Sequence, residues 1–154
     1  MVLLVRRARV TSMSNNTVLR SFNLPAFIKV TDETLIEGSI GFDAEQSMSD
    51  FHNIVLSDGV AENFALFEYA GNDNYYGHYF FSTAKGRKAI ALASDMLKSL
   101  PVFDERVESV YGVVPVENKK ASWLSRQIGF KKVSSFETSH GKMELFRLGL
   151  KEYE

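Results

Sequence analysis

Apolar positions recur at helical spacing most clearly in "AKGRKAIALASDMLKSL". There Ala89, Leu92, Ala93, Met96, Leu97 and Leu100 form one stripe, which predicts an amphipathic helix ended by Pro101. Upstream, "FHNIVLS" and "NFALFEYA" flank an Asp-Gly pair, a strong hairpin signal. "GNDN" and then "YYGHYFFST" extend this to three consecutive strands of an antiparallel meander. Alternation along the last of them puts Tyr76, His78 and Phe80 on one face and Tyr75, Tyr79 and Phe81 on the other. Downstream, the Val-rich "VESVYGVVPV" reads as a strand. "NKKASWLSRQI" reads as a helix capped by Asn118 and stopped at Gly129. "FKKVSSFET" and "KMELFRLGL" read as two strands joined at His140-Gly141.

The first third is less clearly patterned. "VLLVRRARV" has strand character. "SNNTVLRSF" offers Ser14 or Asn15 as an N-cap and predicts a helix near residues 15 to 23, with Pro25 as its stop. Residues 26 to 42 fit neither period, and Asp43 has the chemistry of a short helix start. The crossover from residue 75 to 114 implies a parallel strand pair inside a mixed sheet. The expected fold is a single α/β (α+β) domain over residues 1 to 154, with six to seven strands in a mixed central sheet and helices on both faces.

Composition narrows the function classes. The 154 residues suit one domain with an ordinary core. The absence of cysteine excludes disulfides, thiolate metal sites and a cysteine nucleophile. A net charge of −1 lacks the basic excess of a nucleic-acid binder. The apolar run in "MVLLVRRARV" is too short for a signal peptide or a membrane span, so the expected location is the cytoplasm. His52 and His140 have no neighbours at metal-ligand spacing, and no metal is expected.

Two stretches carry candidate chemistry. In "FFSTAKGRKAIALA" a strand ends, Lys85, Gly86, Arg87 and Lys88 follow, and a helix begins. The first amides of a helix lack internal partners and carry partial positive charge, which suits a phosphate. Taken alone, the stretch reads more simply as a solvated helix start. In "VPVENKKASWLSRQIGFKK", Asn118, Ala121, Leu124 and Ile128 share one helix side. Asn118 can cap the helix and keep hydrogen-bonding capacity, while Ala121 permits close approach. Taken alone, this stretch is capping and core packing.

Together, the spacing Val114, Asn118, Ala121, Leu124, Gly129, Phe130 resembles the C-terminal motif N-x-x-A-x-x-L-Y-x-K-x-G-F of the GCN5-related N-acetyltransferases (GNAT). The resemblance, including the element order, covers residues 50 to 150. It implies acetyl-CoA as co-substrate. The pyrophosphate would lie on the loop of Lys85, Gly86, Arg87, Lys88 and Ala89. The pantetheine arm would pair like an extra strand with Tyr79, Phe80, Phe81 and Ser82, where that strand and "VYGVV" splay apart. Asn118 and Ala121 would flank the arm.

The sequence also departs from that pattern. The phosphate signature [RQ]-x-x-G-x-[GA] has Ala in place of its first Gly, and the Ala89 methyl is expected to crowd the ligand. Ser125 stands where the family's Tyr acts as acid; it is shorter and less acidic, which leaves a water or Tyr111 as alternatives. His78 is the base candidate, with Glu68 and Glu62 as runners-up. An inert, hydrogen-bonded His78 in an aromatic strand is the plain alternative.

His78, Lys85-Gly86 and Val114-Pro115-Asn118 further resemble a bacteriophage-encoded branch, implying host cytoplasm or virion as the location. The expected function is acetyl transfer from acetyl-CoA to an amine of a small molecule or protein. The alternative is a non-catalytic GNAT-like module, such as a phage assembly or anti-defence protein, that binds a viral or host partner. Trp123, expected on an exposed helix side, marks a dimer or partner contact.

Overall fold

A computed structural model describes residues 16–35 and 42–151. The strands are β1 (Val18–Arg20), β2 (Ile54–Asp58), β3 (Asn63–Gly71), β4 (Asn74–Phe81), β5 (Ser109–Pro115), β6 (Lys131–Thr138) and β7 (Gly141–Gly149). The helices are α1 (Leu24–Thr34), α2 (Ala44–Ser49), α3 (Gly86–Phe103) and α4 (Lys119–Ile128). The strands form one sheet in the order β1-β2-β3-β4-β5-β7-β6. Every neighbouring pair is antiparallel except β4 and β5. The sheet is therefore mixed, with the parallel pair at the crossover through α3, as the element order predicts.

Side-chain alternation divides the sheet into two faces. On one, Phe64, Leu66 and Phe80 pack against Phe27 and Val30 of α1. On the other, Ala65, Phe67 and Tyr75 pack against Leu92, Met96, Leu97 and Leu100 of α3, and Ile128 of α4 joins them. The large apolar side chains among these each contribute about 1.5–3 kcal/mol by leaving water, and the α3 face holds the larger of the two clusters. Helices thus cover both faces. Among the described residues no helix is long and apolar enough to cross a membrane. Among the same residues, no three His, Asp or Glu side chains are grouped to hold a metal ion.

The helices differ from the sequence reading in three places. The segment expected as a helix near 15 to 23 contains a strand instead. Val18, Leu19 and Arg20 pair with Asp58, Ser57 and Leu56 along the edge of β2, and the ladder outweighs a weak local helix signal. Pro25 does not stop a helix but opens one. Asn23 is the cap, its Oδ1 accepting from the Ala26 amide at 3.2 Å, and proline fits the first turn because its missing N–H has no partner there. Pro101 likewise lies inside the last turn of α3, which continues to Phe103 and closes with the Asp104 amide donating to the Leu100 carbonyl at 3.0 Å. The short helix after Asp43 is present, with the Asp43 side chain accepting from the Gln46 amide. The strand expected in "VLLVRRARV" lies outside the described residues.

At the sheet end beside the C-terminus of α3, the Tyr75 hydroxyl donates to Asp104 Oδ2 at 2.7 Å. Burial, reinforced by this bond and the adjacent carboxylate, holds the Tyr75 phenol well above its ordinary range.

Candidate active site

The parallel pair at the sheet centre is short. β4 and β5 are paired only at Asn74↔Ser109, Tyr75↔Val110 and Tyr76↔Tyr111. Past that rung β4 runs on to Phe81 and β5 to Pro115 without pairing each other. β4 stays bound to β3 as far as Phe81, and β5 stays bound to β7 as far as Pro115. The result is a gap in the ladder, a candidate cleft between two strands that are each supported on their far side.

The hydrogen-bond phase decides which β4 groups face this cleft. The Ser82 amide donates to the Glu62 carbonyl at 3.3 Å, toward β3. In an antiparallel ladder the direction alternates, so Phe80 and His78 also direct their backbone groups to β3. The backbone groups of Gly77, Tyr79 and Phe81 then point toward β5. Of the four residues singled out for strand-like pairing, Tyr79 and Phe81 present their backbone to the cleft; Phe80 and Ser82 present theirs to β3. The Phe80 ring is buried on the α1 face, and the Ser82 hydroxyl donates to Glu33 Oε2 of α1 at 3.1 Å.

At the C-terminal end of β4 the chain turns into α3. Gly86 has φ +55°, a left-handed conformation that glycine adopts without strain, and a Cβ there would meet nothing within 4 Å. The space outside Gly86 is open. Lys85 is the N-cap residue and gives the helix no side-chain cap. The amides of Lys88 and Ala89 return to the Lys85 carbonyl. Those of Lys85, Gly86 and Arg87 have no acceptor among the described residues. Lys85, Arg87 and Lys88 are exposed around them. Ala89, by contrast, is 6% exposed, so its methyl group faces the interior and does not crowd the loop as expected from the sequence.

On the other flank, Asn118 caps α4, its Oδ1 accepting from the Ala121 amide at 3.0 Å. Its own amide donates to the Pro115 carbonyl at 2.9 Å, which fixes the cap directly beyond β5. The carboxamide NH2 remains for another acceptor. Gly129, with φ +121°, ends the helix by returning its amide to Ser125 and Arg126. Ala121 and Leu124 pack against the α3-side core. Trp123 is 52% exposed, on the outer side of the helix.

The candidate catalytic residues separate by face. His78, Tyr76 and Tyr111 share the α1 face of the sheet, as does Glu68. His78 Nε2 lies 3.4 Å from Glu68 Oε1, diagonally across the β3–β4 ladder, and both side chains are about half exposed. The Tyr76 and Tyr111 rings stand 6.1 Å apart, and Tyr111 is half-buried. Ser125 is elsewhere: its hydroxyl donates to the Ala121 carbonyl at 2.9 Å inside α4, which packs on the α3 face. Glu62 is also remote from His78; its Oε1 accepts from Thr83 Oγ1 at 3.5 Å at the head of the α3 loop. The sequence reading missed Asn63, a buried side chain that holds this loop. An asparagine beside a turn signal reads as turn chemistry, and only the strand register shows what it reaches.

No protein-family model matches the chain, and no curated protein matches it by sequence. Solved structures do match. A chimera of the spermidine N-acetyltransferase SpeG from Vibrio cholerae with hSSAT superposes with TM-score 0.68 at 12% identity, covering 91% of this chain and 98% of that one. A mutant form of the spermidine/spermine N-acetyltransferase SpeG from Vibrio cholerae gives TM-score 0.65 at 14% identity over 90% of this chain and 95% of that one. A GNAT-family acetyltransferase from Bacillus anthracis gives 0.62 at 13% identity, over 87% and 95%. The chain therefore has the fold of the GNAT acetyltransferases, as the resemblance of its C-terminal motif implied.

Proposed function

We propose that the protein is an N-acetyltransferase that uses acetyl-CoA and an amine acceptor. The observation that carries this reading is the cleft beyond Tyr76↔Tyr111 ending at the unsatisfied amides of Lys85, Gly86 and Arg87. An extended arm with an anionic end fits such a cleft: strand groups of Tyr79 and Phe81 line its length, and a helix N-terminus with cations closes it. The open space at Gly86 admits a phosphate to the amides. Asn118 flanks the arm from β5's side.

Acetyl-CoA supplies the activated acetyl thioester. The protein's part is orientation and proton transfer. A β4 amide facing the cleft donates to the developing oxyanion. His78, held by Glu68, takes the proton that the attacking amine nitrogen sheds as it bonds to the carbonyl carbon. The carbon–sulfur bond then breaks, and Tyr111 or a water returns a proton to the leaving thiolate. Ser125 is bonded into its own helix and has no part in this account. The face that carries His78 and Glu68 receives the acceptor. The neighbouring structures include spermidine and spermidine/spermine N-acetyltransferases, which makes polyamines the first acceptors to try.

The test is release of free thiol from acetyl-CoA across a panel of polyamines, lysine-containing peptides and aminoglycosides. Turnover with any acceptor that His78→Ala slows by about 100-fold supports the reading. Cofactor binding with no acceptor turned over favours a non-catalytic acetyltransferase-like module, a reading to which the engaged Ser125 hydroxyl lends weight.

A further inference from the structure

We propose that Asn63 is the positioning residue of the phosphate loop, a role that rests on the acetyl-CoA reading above. Asn63 opens β3 and is 3% exposed. Its carboxamide is saturated. Oδ1 accepts from the amides of Thr83 at 3.1 Å and Ala84 at 3.0 Å. Nδ2 donates to Asp58 Oδ2 and to Thr83 Oγ1, both at 2.9 Å. Two acceptor and two donor positions are all that an asparagine side chain has.

The arrangement sets the loop's direction. Asn63 pairs with Phe81 in the ladder, so its side chain reaches past the end of β4. It takes up the last two amides before Lys85, and the Glu62 carbonyl takes the one before them at Ser82. The next three amides, of Lys85, Gly86 and Arg87, are thereby the ones left to an external anion. Asp58 fixes the carboxamide in turn. Its Oδ1 accepts the amides of Glu62 at 2.9 Å and Asn63 at 3.2 Å, which locks the β2–β3 hairpin beneath the loop. The Asn63 carboxamide is buried and satisfied at every atom, so it favours one geometry, because each alternative leaves a buried group of Asn63 unpaired.

The experiment compares wild type and Asn63→Asp by calorimetric titration with coenzyme A and with pantetheine, which lacks the nucleotide and pyrophosphate. The substitution keeps the shape but replaces both donors, and it sets a second carboxylate against Asp58. Coenzyme A affinity is expected to fall about tenfold or more, equivalent to the loss of more than one ordinary hydrogen bond. Pantetheine binding is expected to stay within about twofold, since the loop does not touch it. Equal losses for both ligands, or none for either, overturn the positioning role. Failure of the wild type itself to bind coenzyme A overturns the acetyl-CoA reading and this inference with it, an outcome distinct from the other two. If Asn63→Asp does not fold, Thr83→Val removes one hydroxyl from the same network. A loss of about fivefold for coenzyme A alone then supports the role, and an unchanged affinity contradicts it.

Discussion

Tyr76 on β4 and Tyr111 on β5 form the last rung of the parallel ladder, and beyond them the two strands go separate ways. The separation is not a loss of structure. β3 and β7 continue to support the parting strands from outside. In the proposed function an extended ligand adds along this opening in the manner of a strand.

The first prediction concerns Lys85, where stability and binding move in opposite directions. Lys85 occupies the N-cap of α3 without a side-chain bond to the helix. Lys85→Asp supplies the missing acceptor and a favourable charge for the helix dipole, worth about 1 kcal/mol. The same carboxylate competes with an anion for the amide of Arg87. Chemical denaturation is expected to show a higher midpoint, and titration a weaker affinity for acetyl-CoA. A mutant that gains stability and binds acetyl-CoA undiminished places the anion site elsewhere.

His78 and Glu68 give a second. If the imidazole takes the amine proton, His78→Ala lowers kcat about 100-fold while KM for acetyl-CoA changes less than about threefold. Glu68→Gln keeps a hydrogen-bonding partner near Nε2 but removes its charge, and a smaller fall in kcat is expected. Steady-state kinetics on the two variants and wild type decide this; a His78→Ala enzyme with unaltered kcat assigns the base to another group.

Tyr75 gives a third, tied to pH. The folded phenol titrates above its unfolded value, so the folded state keeps its proton longer than the unfolded chain does. Stability from this group is fully present below about pH 10 and is lost as pH rises through the unfolded value toward the folded one. Denaturation midpoints between pH 8 and 11 are therefore expected to fall at the alkaline end. Tyr75→Phe loses the bond to Asp104, about 1 kcal/mol at neutral pH, and shows a shallower alkaline decline. Equal alkaline slopes in both proteins remove Tyr75 as the cause.

Much of this fold was legible because its signals are local. Asn118 and Gly129 bound α4 through a cap and a positive φ that neighbouring residues do not affect. The stripe from Ala89 to Leu100 has one face because its helix has one core to meet. The errors came where a long-range partner overrode local chemistry. Val18 to Arg20 follow helix-start residues, but the β2 edge captures them. Pro25 carries the same chemistry whether it ends a helix or begins one, and only Asn23 before it distinguishes the two. The site divides in the same way. The α3 loop shows in the sequence as Gly86 among cations. The His78–Glu68 contact and the four bonds of Asn63 depend on the β3–β4 register, which residue spacing does not encode.

The proposed function stands or falls on acetyl-CoA binding at the cleft and the α3 loop. Isothermal titration of acetyl-CoA into the wild-type protein and into Arg87→Glu tests it most directly. The account predicts micromolar binding by the wild type and an affinity at least about tenfold weaker in the mutant. Absence of binding by the wild type up to millimolar acetyl-CoA contradicts it.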